Sequence, residues 1–533
     1  MKATNMSTLV PFSGSWTTPF LFLSTFIVLV ILFVKRTKFL YSLRNVPSPI
    51  ALPIIGNAVQ LNCSLEEFFK KLLEWGKQFG DIYLLWLGPR PLVFVYRVEG
   101  VQPLLSSSIH IEKSLEYQYL KPWLGDGLVN STGNQWHFLR KLLTPAFHSV
   151  MQQQYLKSVA HESATMVSCL KAEVNNVFNV VPYAKRAALD MICECSMGYH
   201  LNAQQNYQND YVIAVEKMTE IIQTRFTNIW ISLDPIFRLT SLGKEHENAL
   251  NVIHSFVDSV ITERKTQWKS NHDDNFNNPM NTRQQPLLDL LLKYSQNDLG
   301  LTDIDIRDQV NTFMFAGHDT TATSISWVLY CLGRHPEYQE KILDEFEAVI
   351  GSEELTLDNL SKLTWLEACI KETWRLYPVV PLIARQIYHP IRLMNNDIPI
   401  GSTVLINVFM LHRDPRHFPD PEEFKPERFL PENPKPQSFT YIPFSAGSRN
   451  CIGWKFGTMV VKASILTLLR AYKIEALDST DQLRLISSVV LINRDGIRLK
   501  ISPRESKILK PKLDESISND CEQLPECVKT KDD

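Results

Sequence analysis

Phe444-Ser445-Ala446-Gly447-Ser448-Arg449-Asn450-Cys451-Ile452-Gly453 is the stretch on which the reading of this 533-residue chain turns. It has the form F-x-x-G-x-R-x-C-x-G, and so many fixed positions in one short string make a chance match rare. A cysteine needs help to stay ionised, from a bound metal or from positive dipoles. Glycines on both sides let the backbone turn tightly and bring N–H groups close to the sulfur. The pattern from Gly453 to Tyr472 is helical, so a helix N-terminus directs its positive end at the same sulfur. Arg449 is suited to pair with a carboxylate of a bound group. The bland alternative, a buried structural cysteine in a glycine-rich turn, leaves the rest of the string unexplained. Cys451 is therefore read as an iron ligand.

Moving outward, the composition is that of a globular protein, with 44% hydrophobic and 21% charged residues. A net charge of −2 gives no basic face for nucleic acid. Nine cysteines are too few for a disulfide scaffold and fit a reducing compartment. Length alone argues for three or four domains at roughly 150 residues each, yet no linker or repeat divides the chain after its N-terminus. No charged residue lies between Lys2 and Lys35, and Phe20 to Val34 is almost wholly apolar. With Trp16 to Pro19 this run reaches the roughly 20 residues that span a bilayer. Lys35, Arg36, Lys38 and Arg44 follow at once, which places the rest of the chain on the cytoplasmic side. A cleaved signal peptide would have a shorter apolar core and a small-residue cleavage site, so a retained anchor is expected.

The expected organisation is an anchor with its basic flank over 1–44, one large domain over 45–503, and a charged, disordered tail over 504–533. Pro47, Pro49 and Pro53 stiffen a hinge over 45–57. Asp81 to Leu87 and Pro91 to Tyr96 read as a hairpin turning at Gly88-Pro89-Arg90. Thr302-Asp303 caps a long helix that stops before Pro336. Helices are expected over Pro336–Ile350 and Leu360–Leu376, coil over Asn407–Phe429, and a surface loop over Ser270–Gln285. The fold class is mainly α with small β-sheets, plus one N-terminal transmembrane helix.

The Cys451 string resembles the haem-binding loop of the cytochrome P-450 superfamily, and further family motifs follow in order across about residues 45–503. Glu372-Thr-Trp-Arg375 resembles the family's E-x-x-R, with Arg428 of Pro426-Glu-Arg-Phe429 as third member. That trio implies a buried charge cluster with a structural role. Ala316-Gly317-His318-Asp319-Thr320-Thr321 resembles the oxygen-activation motif. It implies a local kink at Gly317, a Thr320 hydroxyl that steadies bound oxygen, and Asp319 as proton relay. His318 is read as a satisfied packing residue. Trp136-His-Phe-Leu-Arg140 resembles the W-x-x-x-R helix that meets the haem propionates, and Arg385 matches another propionate position. Phe444, Gly447, Arg449 and Gly453 belong to the cofactor loop. Phe315, Ala316, Val380 and Leu382 are substrate-pocket candidates by family position. His412-Arg413-Asp414-Pro415 matches a structural turn, and Cys193 and Cys195 are read as core thiols. Gly125-Asp-Gly127 lacks the third glycine of a dinucleotide fingerprint and follows no clear strand.

Thr312 to Thr321 and the phrase HRDPRHFPDPEEFKPERF (His412 to Phe429) resemble the family-four branch, typified by fatty-acid ω-hydroxylases, with insect members nearest. The resemblance implies haem b, O2, and electrons from an NADPH–cytochrome P-450 reductase, with cytochrome b5 as a second donor. Arg140, Lys141 and Lys455 are candidates for that docking patch. Many members of the branch carry a Glu, ester-linked to haem, where this chain has Ala316; non-covalent haem is expected here. The implied activity is hydroxylation of a hydrophobic molecule, such as a fatty acid, terpenoid hormone or xenobiotic, at the cytoplasmic face of the endoplasmic reticulum membrane. The rivals are a non-oxygenating haem-thiolate isomerase or dehydratase, and a catalytically silent haem-binding membrane protein.

Overall fold

The computed structural model describes residues 17–206, 209–228, 230–272, 285–296 and 301–504. Helix α1 (Thr17–Ser42) opens it, and its apolar side chains stand exposed rather than packed. The candidate membrane span Phe20–Ser42 has 23 residues and carries Lys35, Arg36 and Lys38 in its second half. At 1.5 Å per residue the charge-free part of the helix, Thr17–Val34, is about 27 Å long, close to a hydrocarbon core of about 30 Å. The foot of α1 is tied down. Arg36 lies over the Trp86 ring and donates to the Pro89 carbonyl at 3.0 Å, and Phe39 meets Trp86 edge-on.

Helix α2 (Leu65–Phe79) begins where the Ser64 hydroxyl accepts the Glu67 N–H, and buries Phe69, Leu72 and Gly76. Strands β1 (Ile82–Leu87) and β2 (Arg90–Val95) form the expected hairpin, with Gly88 at φ +60° in its turn. Helices α3 (Gly133–Leu143), α4 (Ser149–Cys169), α5 (Val181–Ile192), α6 (Asp210–Thr227) and α7 (Ser241–His272) follow. Most of the loop expected over Ser270–Gln285 lies outside the described residues, as does the tail beyond Arg504; of that loop, 270–272 close α7 as helix.

Helix α8 (Asp303–Arg334) is the central rod, 32 residues or about 48 Å long. It starts with a capping box: the Thr302 hydroxyl accepts the Asp305 N–H, and the Asp305 carboxylate accepts the Thr302 N–H at 2.8 Å. It is one continuous helix through Ala316–Thr321. Gly317 has a packing use there. A Cβ there would come within 2.5 Å of the Ile192 side chain, so the glycine lets α5 lie close against the rod.

Helix α9 (Pro336–Val349) is as expected, but Leu360–Leu376 is not one helix. It divides into Leu357–Ser361 and α10 (Thr364–Leu376). The cause is Glu345 on α9, whose carboxylate accepts the N–H groups of Thr364, Trp365 and Leu366 and so starts a new helix there. Strands β3 (Leu382–Gln386) and β4 (Thr403–Asn407) complete a sheet of order β1-β2-β4-β3, with β2 parallel to β4 and β3 antiparallel to it. Asn407–Phe429 is mostly coil, as expected, apart from a helical turn Val408–Leu411 and a 3-10 turn Pro426–Phe429. Helix α11 (Trp454–Ala471) closes the helical body. The main core joins α4, α5, α8, α10 and α11, and a second cluster fills the sheet region.

Candidate functional site

The Cys451 loop is built from backbone bonds. The Cys451 N–H donates to the Phe444 carbonyl at 2.9 Å, and Asn450 N–H to Gly447 carbonyl at 3.1 Å. Gly447 sits at φ +71°, and a Cβ there would fall 1.8 Å from the Leu105 carbonyl oxygen, so no side chain fits. His412 anchors the loop's approach: its Nε2 accepts the Ile442 N–H at 2.8 Å, and its Nδ1 faces the Trp374 carbonyl at 3.3 Å. Burial drops the His412 pKa to about 3, which keeps the ring neutral and fit to accept. The expected structural role of this turn is thus visible as one specific tether.

Cys451 opens onto a cavity of about 320 Å³. Protein packs round the sulfur elsewhere, and that burial raises the thiol pKa; the Gly453 N–H and Arg140 pull the other way. A bound metal ion would complete the deprotonation, because a coordinating thiol ionises outright. Phe444, Trp136, Arg140, Arg385 and Arg449 line the same space, and so do Phe315, Ala316, Thr320 and Val380. Of the pocket candidates, Leu382 is the exception: it lines a neighbouring cavity instead.

The cavity is short of anions. Lys113, Arg140, Arg385 and Arg449 reach it, and no Asp or Glu does among the described residues. Burial, with Arg385 beside it, brings Arg449 down to about 9. Lys113 is pushed well below its ordinary value by burial and by Arg385 and Arg449. Such a crowd of buried cations requires negative partners from outside the chain. The residues present fit a tetrapyrrole with two propionates: the cations would hold the propionates, the apolar walls would take the ring, and Cys451 would be the ligand for its iron.

The four cations are not equivalent. Arg449 donates to the carbonyls of Ile111 (3.0 Å), Leu128 (3.3 Å) and Ser131 (2.5 Å), and its guanidinium lies 4.3 Å from the Trp136 ring centre. Arg140 donates to the carbonyl and the side-chain oxygen of Asn450, at 2.7 and 2.8 Å. Both therefore brace the loops around the cavity with part of their donor set. Arg385 gives one N–H to the Ala384 carbonyl at 3.0 Å, and Lys113 lies over the Tyr117 ring with a long contact to its hydroxyl at 3.4 Å. Lys113 and Tyr117 belong to no motif in the sequence, and only the folded chain brings them to the site.

On α8, the Thr320 hydroxyl donates to the Ala316 carbonyl at 2.6 Å and stands at the cavity wall. Asp319 is buried and turned elsewhere. Its carboxylate lies 3.6 Å from Lys185 Nζ on α5, and Lys185 also holds Glu216 on α6 at 2.7 Å. Burial raises the Asp319 pKa against the pull of Lys185. Burial opposes the charge of Lys185, but Asp319 and Glu216 outweigh it and raise its pKa. The three groups form a line from the half-exposed Glu216 to the rod. The sequence signal for Lys185 was faint: one lysine inside the otherwise core-facing run Tyr183–Ile192.

His318 corrects an expectation. It is fully buried beside the Tyr211 ring, but neither ring nitrogen has a hydrogen-bond partner among the described residues, so it packs without being satisfied. Burial and Lys185 lower it to about 3, so it stays neutral. Cys193 and Cys195 are buried thiols, as read. The Gly125 and Gly127 pair serves packing. A Cβ on either would strike Asp308 or Thr312 of α8, and the Asp308 carboxylate accepts the Asp126 N–H at 2.8 Å.

The charge cluster is assembled as the motif implies. Arg375 makes two bonds to the Glu372 carboxylate, both at 2.8 Å, and Arg428 Nε reaches it at 3.4 Å. Neither Glu372 nor Arg375 is exposed at all. Arg375 also donates to the carbonyls of His412, Pro421 and Glu423, and Glu372 accepts the Lys425 N–H at 2.8 Å.

Comparison with known proteins agrees with this geometry. The family model for Cytochrome P450 matches residues 46–501. Cytochrome P450 4c3 of Drosophila melanogaster is 40% identical over 507 residues, covering 92% of this chain and 95% of its own length. Cytochrome P450 4V2 of Homo sapiens is 40% identical over 467 residues, covering 86% and 89%. Cytochrome P450 4d2 of Drosophila melanogaster is 37% identical over 471 residues, covering 86% and 94%.

Proposed function

The chain belongs to the cytochrome P450 family and is a haem-thiolate monooxygenase, and from that premise we propose that it hydroxylates an elongated hydrophobic molecule, such as a fatty acid, terpenoid hormone or xenobiotic, at the cytoplasmic face of the endoplasmic reticulum. The balance is RH + O2 + two electrons + two protons giving ROH + water. One observation carries the reading: Cys451 and Thr320 line one largely apolar cavity, together with four cations that have no carboxylate partner among the described residues. The bound haem would supply the oxygen chemistry. Cys451 would hold the iron through its sulfur, and a thiolate ligand there would supply the electron donation that oxygen activation needs. Lys113 and Arg385 have the donors to hold the propionates, helped by Trp136, Arg140 and Arg449. Apolar walls exclude water and select the substrate.

Protons enter by side chains. Glu216 meets solvent and Lys185 links it to the Asp319 carboxylate, the proton relay of this reading, while Thr320 at the cavity wall has the hydroxyl that would steady the reacting oxygen. Thr320→Ala should leave substrate affinity nearly unchanged and cut product formed per NADPH consumed by about tenfold or more. Reductase-supported turnover, with oxygen, NADPH and product measured together, tests the reading; unchanged coupling defeats the role of Thr320.

Ala316 lines the cavity without a carboxylate, which supports non-covalent haem. Acidic organic solvent should extract all of it, and haem that stays with the denatured chain would overturn this. Electrons reach the site from a membrane-bound NADPH reductase, with cytochrome b5 as a second donor. Lys141 and Lys455 are exposed near α3 and the Cys451 loop and fit such a docking face. Past the anchor, Ile50, Ile54 and Val59 are exposed, as are Trp230, Leu233 and Leu239 between α6 and α7. They support a body resting against the bilayer.

A further inference from the structure

A run of aromatic rings joins the cavity at Cys451 to the surface. Trp374 of α10 lines the cavity, meets Phe444 edge-on at 5.0 Å, and donates its indole N–H to Ser324 Oγ at 2.6 Å. Ser324 also lines the cavity, and Trp327 stands one turn further along α8. The Trp327 and Tyr377 rings stack, with centres 4.2 Å apart and planes 3° from parallel. Tyr330, also on α8, meets both edge-on at 5.7 and 5.8 Å. Tyr377 caps α10 three residues after Trp374, so the step from Trp374 to the stacked pair is about one helical turn, roughly 5–6 Å between Cβ atoms. The Tyr330 hydroxyl donates to the Asp478 carbonyl at 3.2 Å, and the side chain of the exposed Thr480 interacts with both phenols. Ring pairs of this kind are ordinary core packing. What sets these apart is that tryptophan and tyrosine give up an electron where phenylalanine and leucine do not, and that they run from the cavity to an exposed residue.

We propose that Trp374, Trp327, Tyr377 and Tyr330 carry electrons from the surface to the bound haem when hydrogen peroxide oxidises it and no substrate is present. The path protects the haem, and gives the protein a second activity, the reduction of peroxide by a small-molecule thiol. Trp374 gives up one electron and is refilled from the stacked pair. The two indole N–H groups donate to weak bases, the Ser324 hydroxyl and the Leu491 carbonyl, so the tryptophans keep their protons and pass the hole on. The hole stops at a tyrosine, whose phenolic proton leaves past Thr480. A thiol at that surface returns the electron, and solvent the proton. Two such passages balance as H2O2 + 2 RSH giving 2 H2O + RSSR. Other oxidisable rings at the cavity are poorer starting points. Arg449 lies over Trp136 at 4.3 Å and Lys113 over Tyr117 at 4.4 Å, and a positive charge against a ring opposes the loss of an electron from it. The inference rests on the monooxygenase reading only in placing haem at Cys451.

Full-length, haem-loaded protein, mixed with hydrogen peroxide without substrate, frozen and read by electron paramagnetic resonance, tests it without turnover. The wild type should give a tyrosyl signal. Tyr330→Phe with Tyr377→Phe should cut that signal about tenfold or more, and so should Trp374→Phe at the other end of the path. With glutathione present, peroxide should bleach the haem of both variants about threefold faster or more than that of the wild type. A wild type without the tyrosyl signal overturns the proposal, whether or not the variants fold, and so does an unchanged signal in either folded variant. A tyrosyl signal that depends on Trp374, with no NADPH-dependent product, would sink the monooxygenase reading and leave the path standing. Turnover without the signal would do the reverse.

Discussion

Replacing Cys451 by serine is expected to give a folded protein with no monooxygenase turnover, a loss of more than about a thousandfold, or roughly 4 kcal/mol in the barrier. The fold should survive because the loop is held by backbone. The Cys451 N–H to Phe444 carbonyl bond, the Gly447 turn and the His412 tether do not involve the sulfur. The cations at the cavity remain, so haem can still be drawn in by its propionates. What disappears is the axial thiolate and its electron donation. The ferrous carbon monoxide complex should lose the spectral signature of cysteinate ligation. Cys331→Ser makes the control: that thiol is buried on α8 and lines neither cavity, so the signature should remain. A Cys451→Ser protein that keeps the cysteinate signature would falsify the assignment.

The sequence carried the parts of the site that depend on local spacing. F-x-x-G-x-R-x-C-x-G is one turn of backbone, E-x-x-R is one helical face, and Thr320 bonds a carbonyl one turn back; each is decided within ten residues. The capped rod from Thr302 was legible for the same reason. Long-range geometry was not. Lys113 and Lys185 matter because of what lies across from them, Arg385 and Arg449 in one case and Asp319 in the other, and nothing near them in the chain says so. The break before Thr364 depends on Glu345, nineteen residues earlier, turning its carboxylate onto a helix start. Gly317 looked like a weak point in a helix, yet its use is the close approach of Ile192 from another helix. Arg449 had one expected partner, a propionate, and has three carbonyls besides. In each case the missing information is tertiary contact, which composition and periodicity do not encode.

Glu372→Ala should destabilise the protein by about 3–5 kcal/mol, the cost of leaving a buried charge without its partner. Against a total stability of about 5–15 kcal/mol, that is enough to deplete the folded population. The damage is not confined to the pair. Lys425 loses the acceptor of its N–H, Arg428 loses its carboxylate, and the coil from His412 to Phe429 loses its anchor. Because His412 also holds Ile442, the Cys451 loop loosens with that coil, so haem content should fall with stability. Removing both charges at once is a common remedy for a buried pair, and Glu372→Met with Arg375→Leu tests whether it works here. It should not. Arg375 is the donor to three backbone carbonyls, at 3.2, 2.6 and 3.0 Å, and a leucine would leave all three without it. Urea unfolding and haem content should rank wild type above both variants, with the double variant no better than the single. A double variant that regains wild-type stability would show that the cluster is a plain ion pair, and that the coil is held by something other than Arg375.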